Sequence, residues 1–138
     1  MIALDTNILA RAIATEVGAG SATKAQELRA KKLLSSGQDM YVPITVIVEL
    51  EWVLRGAYDM PRKDIAAVFD DMLSIENITV DRAAAVTQAV DWYRHGLDFS
   101  DALHLAQAGL CSGLATFDTR FARASRRLGL RPPVTTPA

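Results

Sequence analysis

Short apolar runs alternate with longer stretches of helical periodicity along this 138-residue chain. The apolar runs are candidate strands at residues 1–4, 40–42, 75–80 and 113–116, with a weaker one starting at residue 130. Strands that alternate with helices form a parallel sheet with right-handed crossovers and helices on both faces. The sequence therefore predicts an α/β fold, a single-domain α/β/α sandwich over residues 1–138. Its central, mainly parallel sheet has four to five strands, with the first strand in the middle.

Seven helices are expected between these strands. Their limits are set by caps, glycines and prolines, with helices after residue 5, at 21–36 and 44–55, from residue 61, and at 81–95, 99–111 and 119–128. Asp81 is expected to cap the helix that runs to residue 95. The proline-rich end, residues 131–138, is expected to be a loose tail.

Composition excludes several classes of protein. The single cysteine, Cys111, cannot form an internal disulfide or a cysteine-based zinc site. No run approaches the roughly 18 apolar residues that a membrane span needs, so no membrane partner is expected. The N-terminus lacks the basic region of a signal peptide, and a cytoplasmic location is expected. The net charge of −1 gives no general electrostatic reason to bind nucleic acid.

Acidic residues recur where α/β sheets place their functional sites. Asp5 and Asp118 each follow a candidate strand, and Asp101 lies in the first turn of the helix at 99–111. The carboxyl ends of parallel strands open on one edge of a sheet, which is where such folds bind ligands. Asp98 has two interpretations that the sequence leaves open. It lies three residues before Asp101 and is either the cap of that helix or a further ligand.

The helix at 44–55 supplies another candidate, Glu49. With an apolar stripe at Val46, Leu50 and Val53, Glu49 borders the stripe whereas Glu51 points to solvent. A glutamate against a buried stripe is costly unless it is paired or bound to a cation. Four carboxylates brought together repel one another, and a cation relieves that repulsion. Oxygen ligands suit Mg²⁺ or Mn²⁺, which serve phosphoryl chemistry.

These acidic motifs, in this order and covering nearly the whole chain, resemble the PIN-domain nucleases, and the chain's size resembles the VapC-type toxins of toxin–antitoxin pairs. The resemblance implies that Asp5, Glu49, Asp101 and Asp118 are metal-binding catalytic residues, supported by Thr6, Asn7 and Thr116. It also implies Mg²⁺- or Mn²⁺-dependent cleavage of RNA, a homodimer, and inhibition by a small antitoxin that inserts into the acidic groove. The motifs that carry it are Asp5-Thr6-Asn7, Val48-Glu49-Leu50, Asp98-Phe99-Ser100-Asp101 and Thr116-Phe117-Asp118.

Positive charge is concentrated in two helices. The helix at 119–128 carries Arg123, Arg126 and Arg127 off its expected apolar stripe of Phe121, Ala124 and Leu128, so these arginines are candidate RNA contacts. The basic residues of the helix at 21–36 are interpreted as a solvated face; they are Lys24, Arg29, Lys31 and Lys32.

Three alternatives come from other classes of protein. Haloacid-dehalogenase-type phosphatases need a second aspartate where this chain has Asn7. Both they and receiver domains need a late lysine, whereas the last lysine here is Lys63. A PIN-like protein that binds RNA without cutting it stays open, although an intact acidic set disfavours it.

Overall fold

All 138 residues are described by the computed structural model, which contains seven α-helices and five β-strands. The chain divides into two compact units, Met1–Ala83 and Ala84–Ala138. None of its helices is long and apolar enough to span a membrane.

The first unit contains a three-stranded parallel sheet with helices connecting its strands. The sheet order is β1-β2-β3, so β2 is central. Met40 and Val42 of β2 are fully buried, which is the environment of a central strand. The elements are β1 (Ile2–Ala3), α1 (Thr6–Ile13), α2 (Ser21–Leu34), β2 (Met40–Val42), α3 (Ile44–Gly56), α4 (Arg62–Ser74) and β3 (Ile78–Val80).

The prediction that β1 is central in its sheet was wrong. The backbone amides of Ile2 and Leu4 donate to the carbonyls of Asp39 and Tyr41, at distances of 3.0 Å and 2.9 Å. Because alternate residues of a strand face opposite edges, only Ala3 presents its peptide groups on the other side. One residue cannot sustain a second ladder, and β1 is an edge strand of its three-stranded sheet.

The buried face of α3 differs from the predicted one. Its buried residues are Ile47, Leu50, Glu51 and Leu54, so Glu51 lies inside and not toward solvent. Glu51 is 3% exposed and accepts a 2.8 Å hydrogen bond from Nε of Arg55, one turn further along the helix. This charged partner offsets the cost of burying the carboxylate.

The second unit combines three helices with a two-stranded parallel sheet. Tyr93 and Phe99 form an edge-to-face pair in its core, with ring centroids 5.4 Å apart. The cap of α5 by Asp81 stays a prediction; the Asp81 carboxylate accepts a 3.3 Å hydrogen bond from the amide of Ile44, the first residue of α3. The elements of the second unit are α5 (Ala83–Arg94, starting at the boundary), α6 (Phe99–Gln107), β4 (Leu114–Ala115), α7 (Thr119–Arg127) and β5 (Val134–Thr135).

Two further predictions are corrected by these strands. The five strands are parallel, as expected, but they form sheets of three and two strands and not one sheet of four to five. The expected loose tail contains β5, whose residue Val134 is buried and pairs with Leu114. Gly113 permits the approach, since a Cβ there would lie 3.2 Å from the Pro133 carbonyl oxygen.

Candidate active site

Asp5 lies where β1 ends and α1 begins. Its Oδ1 accepts a 2.7 Å hydrogen bond from the amide of Thr6, so the carboxylate is fixed as the N-cap of α1. An N-cap carboxylate satisfies a free amide and interacts favourably with the positive end of the helix dipole. The side chain nevertheless lines an open pocket, so it combines a structural role with accessibility.

Thr6 connects Asp5 to the acidic residue of α3. Its hydroxyl donates a short hydrogen bond to Oε1 of Glu49. Thr6 is 4% exposed whereas Glu49 is exposed, so a buried hydroxyl orients an accessible carboxylate. The first unit thus brings together four residues singled out from the sequence, and they line the same pocket: Asp5, Thr6, Asn7 and Glu49.

This acidic pocket has a volume of about 560 Å³. Besides the acids it contains Arg11 of α1, whose Nη1 donates to the Tyr58 hydroxyl at 2.8 Å. The Nε of Arg11 donates to Oε1 of Gln26 at 3.2 Å, and Glu16 lies 3.9 Å from Nη1. The positively charged guanidinium of Arg11 is therefore held in place among the carboxylates of the acidic pocket.

In the second unit, Asp98 and Asp118 are both helix N-caps. Asp98 accepts from the amide of Asp101 at 3.4 Å, and Asp118 accepts from the amide of Phe121 at 3.1 Å. The amide of Asp118 in turn donates to the Thr116 hydroxyl at 3.0 Å. Thr116 thus fixes the backbone from which the Asp118 carboxylate projects.

Asp101 is the acid with a perturbed pKa. Burial raises the pKa of this half-buried carboxyl, and the negative charges of Asp98 and Asp118 raise it further. His104 opposes the shift in pKa and is itself exposed. The second unit therefore brings Asp98 and Asp118 within electrostatic reach of Asp101.

The donors in both units suit a hard divalent cation. They are carboxylate, hydroxyl and amide oxygens, and a cation would offset both the burial and the neighbouring negative charges that raise the pKa of Asp101. Within neither unit do three or more histidine, cysteine or acidic side chains form a complete metal-binding group.

The three arginines singled out on α7 are all exposed, as expected. The buried face of that helix is partly different, because Ala122 and Ser125 are buried with Phe121, whereas Ala124 and Leu128 are only half-buried.

The family model described as PIN domain matches residues 2–127, most of the chain. The chain belongs to the PIN-domain family. Neither a curated protein nor a solved structure matches it. The PIN domain is an α/β fold of nuclease type, and PIN domains are generally nucleases, that is, hydrolases that act on nucleic acids.

Three polar residues of the acidic pocket were not singled out from the sequence: Arg11, Glu16 and Tyr58. Arg11 stands four residues after Asn7, which places both on one face of α1, so the spacing alone could have indicated it. Tyr58 lies just after α3 and joins the pocket through its bond to Arg11, a tertiary contact that no local pattern signals.

Proposed function

We propose that this PIN-domain protein is a metal-dependent endoribonuclease that acts as the toxin of a type II toxin–antitoxin pair. The proposed catalytic carboxylates are Asp5, Glu49, Asp101 and Asp118, with Mg²⁺ or Mn²⁺ as the cofactor. Asp98 is a further candidate ligand, and Thr6, Asn7 and Thr116 support the acids.

The observation that carries the proposal is that the acids are accessible and positioned by bonds that leave carboxylate oxygens free. Asp5 and Asp118 each use one oxygen as a helix cap, and each has a second. Glu49 is oriented by Thr6, which approaches only Oε1. A merely structural acid is expected to be shielded by a basic partner, as Glu51 is by Arg55.

The protein's own residues have separable tasks in this proposal. The Thr6 hydroxyl, as a donor, orients the Glu49 carboxylate in the acidic pocket. The Thr116 hydroxyl holds the start of α7, so the Asp118 carboxylate stays fixed during a reaction. The chemistry that Mg²⁺ or Mn²⁺ supplies when bound is activation of water and neutralisation of phosphate charge.

The proposed partners are an RNA substrate, a small cognate antitoxin and a second copy of this chain in a homodimer. RNA binding is assigned to Arg123, Arg126 and Arg127, since their exposed guanidinium groups can each donate two hydrogen bonds to a phosphate.

The proposal is tested by brief expression in cells followed by sequencing of RNA 5′ ends. New 5′ ends at defined sites are expected with the wild-type chain and not with Asp101→Asn, which keeps the shape of the side chain and removes its charge. Co-expression of the antitoxin is expected to suppress them. No new 5′ ends with the wild-type chain would refute the ribonuclease assignment, and the same new ends with Asp101→Asn would remove Asp101 from the proposed site.

A further inference from the structure

A second pocket adjoins the acidic pocket in the first unit. It has a volume of about 380 Å³ and shares Asn7 and Arg11 with its neighbour. The two pockets therefore adjoin along α1, and together they are called the groove. The remaining residues that line the second pocket are Ile8, Gln26, Arg29, Ala30 and Leu33.

The charges of the two pockets are opposite. The acidic pocket contains Asp5, Glu16 and Glu49, and Arg11 is its single cation. The second pocket has Arg11 and Arg29 in its lining and no acidic residue. A ligand that occupies both pockets thus meets carboxylates in one and guanidinium groups in the other, and Arg11 lines both.

The guanidinium of Arg11 is held in place between the two pockets. Two of its three guanidinium nitrogens are fixed, Nη1 by the Tyr58 hydroxyl and Nε by Gln26. Its Nη2 has no protein partner, and the side chain is 29% exposed. The Tyr58 hydroxyl accepts from Arg11 and so keeps its own proton for another acceptor. A preorganised guanidinium with free donors matches the oxygens of a phosphate.

We propose that the second pocket is a phosphate subsite for the RNA strand, in which Arg11 and Arg29 hold the phosphodiester next to the one cleaved in the acidic pocket. This inference rests on the proposed ribonuclease function. Arg11 acts as a positioning residue, and Tyr58 and Gln26 hold it in place. The basic face of α2 is then not only solvated, because Arg29 contributes to the substrate groove.

Two measurements test the subsite. The first is binding of a fluorescent single-stranded RNA by anisotropy in EDTA, which does not depend on cleavage. The variants are Arg29→Ala, at an exposed position, and Arg11→Lys, which keeps the positive charge but loses the planar guanidinium group. Lys31→Ala is the matched control, since Lys31 lies two residues from Arg29 on another side of α2.

Arg29→Ala is expected to weaken RNA binding about tenfold, as loss of one charge-assisted hydrogen bond predicts. The log–log salt slope should fall by about 0.7, the value for one contact to single-stranded nucleic acid. Lys31→Ala should match wild type. Unchanged affinity and salt slope in both Arg29→Ala and Arg11→Lys, or no RNA binding by the wild-type protein, would overturn the subsite.

The second measurement separates this inference from the proposed function. In Mg²⁺, Arg29→Ala is expected to raise KM for RNA with little change in kcat, because the subsite holds substrate away from the reacting bond. Wild-type kinetics in Arg29→Ala would overturn the subsite and leave the ribonuclease standing. Arginine-dependent RNA binding by a protein that cuts no RNA would support the subsite and refute the ribonuclease.

Discussion

Asp98 has two roles in this structure that a set of three substitutions separates. It caps α6 through the amide of Asp101, and its charge helps to raise the pKa of Asp101. Asp98→Ala removes the cap and the charge together. Asp98→Asn and Asp98→Ser remove the charge and keep a side chain that caps a helix about equally well.

The expected loss of stability follows from the cap geometry. Loss of an N-cap costs about 0.5–2 kcal/mol, and the 3.4 Å length of this hydrogen bond favours the lower half of that range. Unfolding entropy of roughly 2.1 cal/mol/K per residue makes about 1 kcal/mol equivalent to about 3–4 °C in this 138-residue chain. We therefore expect Asp98→Ala to lower the Tm by about 2–4 °C, with Asp98→Asn and Asp98→Ser within about 1 °C of wild type.

The assay combines metal-free thermal unfolding, followed by circular dichroism, with RNA turnover in Mg²⁺. Without the charge of Asp98, the pKa of Asp101 should fall toward its ordinary value, which NMR titration measures. We expect partial loss of turnover in Asp98→Asn and Asp98→Ser at unchanged Tm, since a cation would lose one nearby negative charge. Wild-type turnover in both variants would refute this reasoning and make Asp98 a cap alone.

Three further predictions concern stability, RNA binding and metal. The pKa of Asp101 is raised by folding, so its charged form destabilises the fold above the folded pKa and this cost disappears as pH falls. Asp101→Asn should therefore raise the metal-free Tm at about pH 7, with no gain at about pH 3. A Tm equal to wild type at the higher pH would contradict the burial argument. The triple variant Arg123→Ala/Arg126→Ala/Arg127→Ala should lower the log–log slope of RNA affinity against salt by roughly 0.7 to 0.9 per lost contact. The control Lys24→Ala/Lys31→Ala/Lys32→Ala on α2 should leave the slope unchanged. Equal slopes in the two variants would remove α7 from the RNA-binding surface. Cleavage should require Mg²⁺ or Mn²⁺, stop in EDTA and be poorly supported by Ca²⁺, whose looser shell positions water less well, and cleavage by purified protein in EDTA would refute the metal requirement.

The parts of the fold that could be predicted from the sequence are those set by local signals. Asp5 caps α1, Pro61 precedes α4 and Gly96 ends the segment before α6 with a φ of 104°, a backbone conformation that favours glycine. These residues act on their own neighbours, so a single sequence contains the information. The positions of Asp5 and Asp118 at the strand-to-helix junctions follow from the same signals.

The buried face of α3 was mispredicted because that helix is apolar on several sides. A stripe through Val46 and Val53 and a stripe through Ile47 and Leu54 are both continuous, and Leu50 belongs to each. The choice depends on packing, which brings Arg55 to the buried Glu51 carboxylate. The periodicity of apolar residues does not reveal that a buried acid has a charged partner.

The acidic pocket was predicted in part for the same reason. Asp5, Thr6 and Asn7 are consecutive, but their proximity to Glu49 depends on how α1 and α3 pack. Glu49 was predicted as a site residue from an apolar stripe of α3 that is not the buried one. Arg11 and Tyr58 join through a contact between residues 47 positions apart. The division of the strands into two sheets likewise depends on tertiary strand pairing, which local propensity does not determine.

The central claim is that the acidic set cuts RNA with a divalent metal, and single-turnover cleavage of a labelled RNA tests it most directly. The purified wild-type protein is compared in Mg²⁺ with Asp5→Asn, Glu49→Gln, Asp101→Asn and Asp118→Asn. Asp71→Asn, an exposed acid on α4, is the matched control. We predict cleavage by wild type and by Asp71→Asn, and none by the other four, all of which remain folded. Full activity in any one of the four would remove that residue from the site, and full activity in all four would contradict the account.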